Sequence, residues 1–180
     1  VPRVVLGVTG SAAAHRALDV ASDLTKRGIS VDAVLTRGAQ EFLRPLAFEA
    51  LTRRPVHTSL FGEGSGDPHT HIRLAAEADL LVVVPASADF LAKAATGISD
   101  DLLLTVAYAF PGRKIVAPAM NPRMWANPLT ARNLGTLGDL GWDVVAPVDG
   151  DLACGDQGTG RLAPVADILA RIDAALARGA

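Results

Sequence analysis

Residues 3–11 read Arg-Val-Val-Leu-Gly-Val-Thr-Gly-Ser, a short apolar run that breaks at Thr9-Gly10-Ser11 and opens into a helical stretch from Ala12 to Arg27. Val4, Val5, Leu6 and Val8 are apolar without alternation, the mark of a strand buried on both faces. In the stretch that follows, Leu18, Ala21 and Leu24 recur on one helical face. Gly28 stands where a C-capping glycine belongs, and Ser30 to Leu35 resumes as a second strand. Strand, helix and strand in this order make a βαβ unit, which demands a parallel sheet.

The same alternation continues outward from that unit. Ala39 to Leu43 reads as a short helix, followed by an irregular stretch through Pro55. Phe61 to Thr70 is rich in Gly, Ser, Asp and Pro and reads as a loop. Helices are expected over His71 to Glu77, Ala88 to Ala95, Leu102 to Phe110, Pro128 to Leu140 and Pro164 to Arg178. Between them, Asp79 to Val84, Lys114 to Ala117 and Asp143 to Ala146 read as strands. The fold class is therefore α/β, a Rossmann-like (flavodoxin-like) doubly wound parallel sheet. No repeat, low-complexity tract or composition break divides the chain, so residues 1–180 are expected to form a single domain.

Composition narrows the function classes. The chain has 180 residues, 49% of them hydrophobic and 20% charged, with a formal charge of −2. That balance gives no electrostatic case for nucleic acid or an anionic membrane surface, and the few aromatic residues offer no base-stacking platform. The apolar run Leu80 to Ala86 is far too short to span a bilayer. A single cysteine excludes an internal disulfide framework. With no leader or cleavage signal in view, a soluble cytoplasmic protein is expected.

In doubly wound sheets ligands bind beyond the carboxyl ends of the strands, and the polar and glycine-rich residues gather there. Thr9-Gly10-Ser11 follows the first strand, Thr36 the second, Pro85 to Asp89 the third and Pro118 to Asn121 the fourth. The segment Asp149 to Arg161 follows the fifth. Gly7 to Ser11 matches neither the dinucleotide fingerprint nor the P-loop. It does place a glycine and hydroxyls at a helix N-terminus, a setting that suits a phosphate as well as a plain N-cap. His71 reads either as a surface histidine or as an imidazole acting on a substrate proton near neutrality. Asn121 sits in Pro118-Ala119-Met120-Asn121-Pro122-Arg123-Met124-Trp125, which can be a capped turn or a wall against a ring system. Cys154, among glycines and charges, reads either as a small buried hydrophobe or as an accessible thiol. Asp100-Asp101 fits a helix cap better than a cation site, and no metal is expected.

Together these segments resemble the homo-oligomeric flavin-containing cysteine decarboxylases. The matching pieces run in the family order from Gly7 to Pro164: Thr-Gly-Ser-x-Ala-Ala, His71-Ile72-x-Leu74, Pro85-Ala86-Ser87-Ala88-Asp89 and Gly97-x-x-Asp100-x-Leu102-Leu103. Pro118-x-Met120-Asn121-x-x-Met124-Trp125 and Ala153-Cys154-Gly155-Asp156-x-Gly158-x-Gly160 complete the set. Two positions depart: Asp89-Phe90 stands where many members have Asn-Thr, and His15-Arg16 where coenzyme A enzymes often have an aromatic or aliphatic residue and then Lys.

The resemblance implies FMN as cofactor, held by Gly10, Ser11, Ala12, Thr36, Phe42, Pro85, Ser87, Ala88, Asp89, Ala119 and Met120. It implies His71, Asn121 and Cys154 as catalytic residues, and Asn121, Met124, Ala153 and Cys154 around the substrate. It further implies a homotrimer or homododecamer with flavin at a subunit interface. A carboxylate beside a saturated Cβ–SH has no electron sink, and oxidation of the thiol to a thioaldehyde supplies one, so that loss of CO2 leaves an enethiolate. In that scheme His71 is the base, Asn121 holds the carboxylate, and Cys154 gives a proton where the cycle ends reductively. The favoured substrate is 4'-phosphopantothenoylcysteine, giving phosphopantetheine for coenzyme A. The alternative is oxidative decarboxylation of the C-terminal cysteine of a precursor peptide to an aminoenethiol. A flavoprotein that only binds a partner, or an FMN-dependent prenyl transferase, fits these motifs less well.

Overall fold

The computed structural model describes residues 1–61, 67–151, 155 and 157–178. β1 (Arg3–Val8) lies between β2 (Ser30–Leu35) at the sheet edge and the central β3 (Leu80–Ala86), with β4 (Arg113–Pro118) and β5 (Trp142–Val144) beyond. All pairings in this five-stranded sheet are parallel, in the order β2-β1-β3-β4-β5. Strand order therefore reverses between β1 and β3, and the crevice above that switch point is where such a fold binds its ligand.

Side chains alternate across the sheet into two cores. Val4, Leu6 and Val8 point to the layer of α1 (Arg16–Lys26) and the last helix, meeting Val20, Leu24, Phe48 and Ile168. Val5 and Val83 point to the opposite layer and meet Leu74, Leu91, Leu103 and Leu137. Every residue of β3 is buried, which explains its continuous apolar sequence. Each fully buried Leu or Phe contributes roughly 1.5–3 kcal/mol of transfer free energy.

Helix boundaries follow from caps. Ser11 opens the 3₁₀ turn Ala12–His15 that runs into α1. Thr36 caps α2 (Arg37–Gln40), two residues earlier than the expected start at Ala39 and ending short of Leu43. The stretch expected to be irregular contains α3 (Pro45–Thr52), with Pro45 at its first turn and Arg53 in the left-handed region at its end. α4 (Thr70–Glu77), α5 (Ala88–Thr96) and α6 (Leu102–Ala109) follow, with Asp101 accepting the Leu104 N–H at 2.7 Å as the α6 cap.

After β4 come α7 (Pro122–Trp125) and α8 (Pro128–Asp139), capped by Asn121 and Asn127. β5 begins at Trp142 and ends at Val144, one to two residues before the expected Asp143 to Ala146. Beyond it, β6 (Val148–Asp151) and β7 (Gln157–Arg161) form an antiparallel hairpin in the segment after the fifth strand, for which the sequence predicts no strand. Its strands carry Gly, Asp and Thr in place of alternating apolar residues, so no period-2 signal marks it. α9 (Val165–Ala177) closes the chain on the α1 face. Among the described residues no helix is long and apolar enough to cross a membrane.

At the foot of the sheet Asp32 is buried and bonded by two guanidinium groups, Arg3 Nε at 2.5 Å and Arg54 Nε at 2.8 Å. Burial alone would raise its carboxyl pKa, but the hydrogen bonds and charges of both arginines outweigh that and hold it below 3.8.

Candidate active site

The turn after β1 is pinned to the turn after β3. Thr9 is buried; its hydroxyl donates to the Pro85 carbonyl at 2.7 Å and accepts from the Ser87 N–H at 2.9 Å. One side chain thus fixes both edges of the switch-point crevice. Ser11 then accepts the Ala13 N–H at 3.2 Å, and Ser87 accepts the Phe90 N–H at 3.2 Å. Both hydroxyls face the crevice with a proton still to donate.

The far wall comes from β4 and the hairpin. The Met120 N–H donates to the Gly160 carbonyl at 3.0 Å. A Cβ on Gly160 would stand 2.2 Å from the Met120 carbonyl oxygen, so only glycine lets the hairpin approach this closely. Asn121 accepts the Arg123 N–H at 2.8 Å and so starts α7 with its side chain at the cavity wall.

Between these walls lies an open cavity of about 760 Å³, within the usual range of small-molecule sites, roughly 300–1,000 Å³. Gly10, Ser11, Ala12 and Phe42 line one side, and Ser87, Ala88, Ala119 and Met120 another. Asn121 and Met124 reach it from α7. Ala88, Ala119, Met120 and Phe42 offer apolar surface for a flat ring, while a helix start and two hydroxyls offer a setting for an anion. A ligand with a flat ring system at one end and a phosphate at the other, such as a flavin mononucleotide, fits this donor set and volume.

Four expected residues are not part of that wall. The Thr36 hydroxyl accepts the Ala39 N–H at 3.2 Å and serves as a cap. Pro85 is buried behind the turn, acting through its carbonyl on Thr9. Asp89 is exposed and pairs with Lys93 at 3.2 Å. His71 sits on α4, which packs against α6 in the layer opposite α1. It is half-buried, and its Nδ1 is shielded with no hydrogen-bond partner among the described residues. Ala153, Cys154 and Asp156 lie outside the described residues.

The cavity also recruits residues that sequence reasoning did not assign: His15, Arg16, Val148, Asp151, Arg161 and the Leu162–Val165 segment. For Val148, Asp151, Arg161 and the Leu162–Val165 segment the signal was the glycine-rich stretch after the fifth strand, which without a hairpin in view gave no direction to any one side chain; His15 and Arg16 were marked only as a departure from the coenzyme A enzymes.

The flavoprotein family profile matches residues 1–177, and the chain belongs to that family. It is 39% identical over 173 residues to the probable phosphopantothenoylcysteine decarboxylase of Streptococcus mutans, covering 95% of this chain and 97% of that one. It is 41% identical over 168 residues to the coenzyme A biosynthesis bifunctional protein CoaBC of Mycolicibacterium smegmatis. That match covers 92% of this chain but only 40% of the bifunctional protein. Among solved structures, a PPC decarboxylase mutant complexed with pantothenoylaminoethenethiol superposes with a TM-score of 0.84 at 35% identity, over 96% of this chain and 97% of that one. The FMN-dependent cysteine decarboxylase SpaF gives 0.82 at 33% identity, over 99% and 97%.

Proposed function

We propose that this chain is an FMN-dependent cysteine decarboxylase acting on 4'-phosphopantothenoylcysteine. The observation that carries the reading is the cavity at the β1–β3 switch point, with phosphate donors at one wall and Met120-Asn121 at the other. The near full-length likeness to the Streptococcus mutans relative supports the substrate.

In this reading the Gly10–Ala12 turn and the Ser11 and Ser87 hydroxyls hold the FMN phosphate, and Phe42, Ala88, Ala119 and Met120 hold its ring. When bound, FMN supplies the two-electron sink that a saturated cysteine carboxylate lacks. Asn121, fixed by its bond to Arg123, orients the substrate carboxylate through its amide. Met124 packs along the substrate. The His71 imidazole takes the proton released as the thiol is oxidised. Cys154 gives a proton to the enethiolate where the cycle ends reductively, and Ala153 contacts the substrate. Thr36, Pro85 and Asp89 support the flavin wall from behind.

His71 does not line the cavity of its own chain, which supports a homotrimer or homododecamer in which it serves a neighbour's site. Ile72 beside it is 53% exposed and Tyr108 on the adjoining α6 is 73% exposed, apolar surface that such an assembly would cover. A single cysteine kept free for proton transfer fits the reducing cytoplasm.

A second reading keeps the cysteine chemistry common to SpaF, an FMN-dependent cysteine decarboxylase, and takes as substrate the C-terminal cysteine of a peptide, decarboxylated oxidatively. Incubating flavin-loaded protein with each substrate and weighing the products decides between them. Loss of CO2 alone from phosphopantothenoylcysteine supports the proposal. Loss of CO2 plus two hydrogens from the peptide supports the second reading, and no change in either substrate refutes both.

A further inference from the structure

We propose that Arg161 is the residue by which this site recognises an anionic group of its substrate. The inference rests on the function proposed above, in which the Gly10–Ala12 turn already takes the cofactor phosphate.

Arg161 ends β7 and lines the cavity. Its backbone position is fixed, because the preceding residue, Gly160, is bonded to Met120 at 3.0 Å. That places Arg161 beside the strip of chain that carries Asn121. Its side chain lies across the hairpin over Gly150, where an added Cβ would come within 2.9 Å of Cδ and 3.0 Å of Nη1. Glycine at 150 thus leaves a slot that the arginine stem occupies.

Charge matching singles this group out. Arg16, at the opposite lip, is paired with Asp19 at 3.2 Å. The Asp151 carboxylate, the acidic group in the cavity wall, accepts from the Gln157 amide at 3.0 Å. Among the described residues no carboxylate lies within ion-pair distance of the Arg161 guanidinium. A guanidinium keeps its charge at all working pH values and presents a planar fork that matches phosphate or carboxylate oxygens in pairs. Exposed at an apolar-walled cavity and without a carboxylate partner among the described residues, it is poised for an oxyanion arriving with the ligand. Two groups on the proposed substrate carry that chemistry, the 4'-phosphate and the cysteine carboxylate.

The test compares wild-type protein with R161Q and R161K, each checked for flavin absorbance, on phosphopantothenoylcysteine, pantothenoylcysteine and a peptide ending in cysteine. R161Q should keep its flavin and raise KM by about 10- to 100-fold with kcat much less affected, and R161K should recover part of the loss. A KM change confined to the phosphorylated substrate assigns the phosphate; an equal change with and without phosphate assigns the carboxylate. Unaltered KM on every accepted substrate overturns the proposal, and so does loss of flavin from R161Q, which would make Arg161 a cofactor ligand. If wild-type protein turns over none of the three, the proposed function fails. Arg161 is then judged by equilibrium binding of the same molecules, and absence of a difference between wild type and R161Q overturns it too.

Discussion

Gly160 and Met120 meet with no space between them for a side chain: the Met120 carbonyl oxygen lies 2.2 Å from where a Gly160 Cβ would stand. The same pair shares a backbone hydrogen bond of 3.0 Å. This single contact seats the β6–β7 hairpin on the end of β4 and so sets the width of the cavity.

Gly160→Ala should therefore undock the hairpin while sparing the sheet. The new methyl meets backbone, which cannot swing aside as a side chain could, and the glycine φ of +147° is one that L-residues rarely adopt. A displacement of about 1 Å at a reacting centre can cost roughly 100-fold in rate. The expected result is a loss of that order in kcat/KM with the far-UV circular dichroism unchanged. Wild-type activity in the variant would show that the hairpin plays no part in the site.

Thr9 joins two turns that are distant in sequence, and its hydroxyl is used both as donor and as acceptor. Thr9→Val keeps the shape but leaves the Ser87 N–H and the Pro85 carbonyl without that partner. Each buried polar group so stranded costs about 1–3 kcal/mol. Thermal melting should fall by several degrees, and FMN, measured by fluorescence titration, should bind more weakly. Thr9→Ser keeps the oxygen and should restore most of both.

These two contacts also mark the boundary of what could be read from the sequence. The parallel sheet was legible because β1 and β3 are buried on both faces and helices of clear period separate the strands. The crevice-lining turns were legible because Ser11, Ser87 and Met120-Asn121 stand at strand exits. The hairpin was not, since Gly150, Gly158 and Gly160 are chosen for close approach and leave no hydrophobic alternation. α3 was hidden because Phe48 and Thr52 are the buried side chains of its eight residues, too sparse a stripe to show a period. The separation of His71 from the cavity could not be read from the residues themselves, because motif order says nothing about which face of the sheet a helix covers; only the resemblance, with flavin at a subunit interface and His71 serving a neighbour, implied it.

Acid should destabilise the protein in two stages. Burial lowers the His57 pKa from 6.5, and the nearby Arg73, Arg54 and Arg3 lower it further against the pull of Asp32. The unfolded chain then binds more protons than the folded one below 6.5, so stability declines as pH falls through that window. The Asp32 pKa, held below 3.8 by Arg3 and Arg54, adds stability that is full above 3.8 and lost as pH falls through its folded value. Melting temperatures between pH 8 and pH 3 should fall first below pH 6.5 and again below pH 4, at positions set by these shifts. His57→Gln should flatten the first fall and leave the second. Asp32→Asn should cost about 1–3 kcal/mol near neutrality, because it removes the buried charge that Arg3 and Arg54 share while Arg3 keeps its pairing with Glu77.

His71 stands on α4 in the layer opposite α1, outside the cavity wall of its own chain. His71→Asn should retain FMN, because His71 does not line the cavity of its own chain, yet should release no CO2. Asn121→Asp should likewise retain flavin and lose activity, since a carboxylate repels the substrate's own. If each site combines the His71 of one subunit with the Asn121 of another, the two inactive variants complement one another. Coexpressing them with different affinity tags and isolating doubly tagged oligomers should then yield measurable CO2 release. The mechanism is statistical: some interfaces pair the intact histidine of one variant with the intact asparagine of the other. Should both residues act within a single chain, no interface can be whole, and the doubly tagged protein would stay as inactive as its parents.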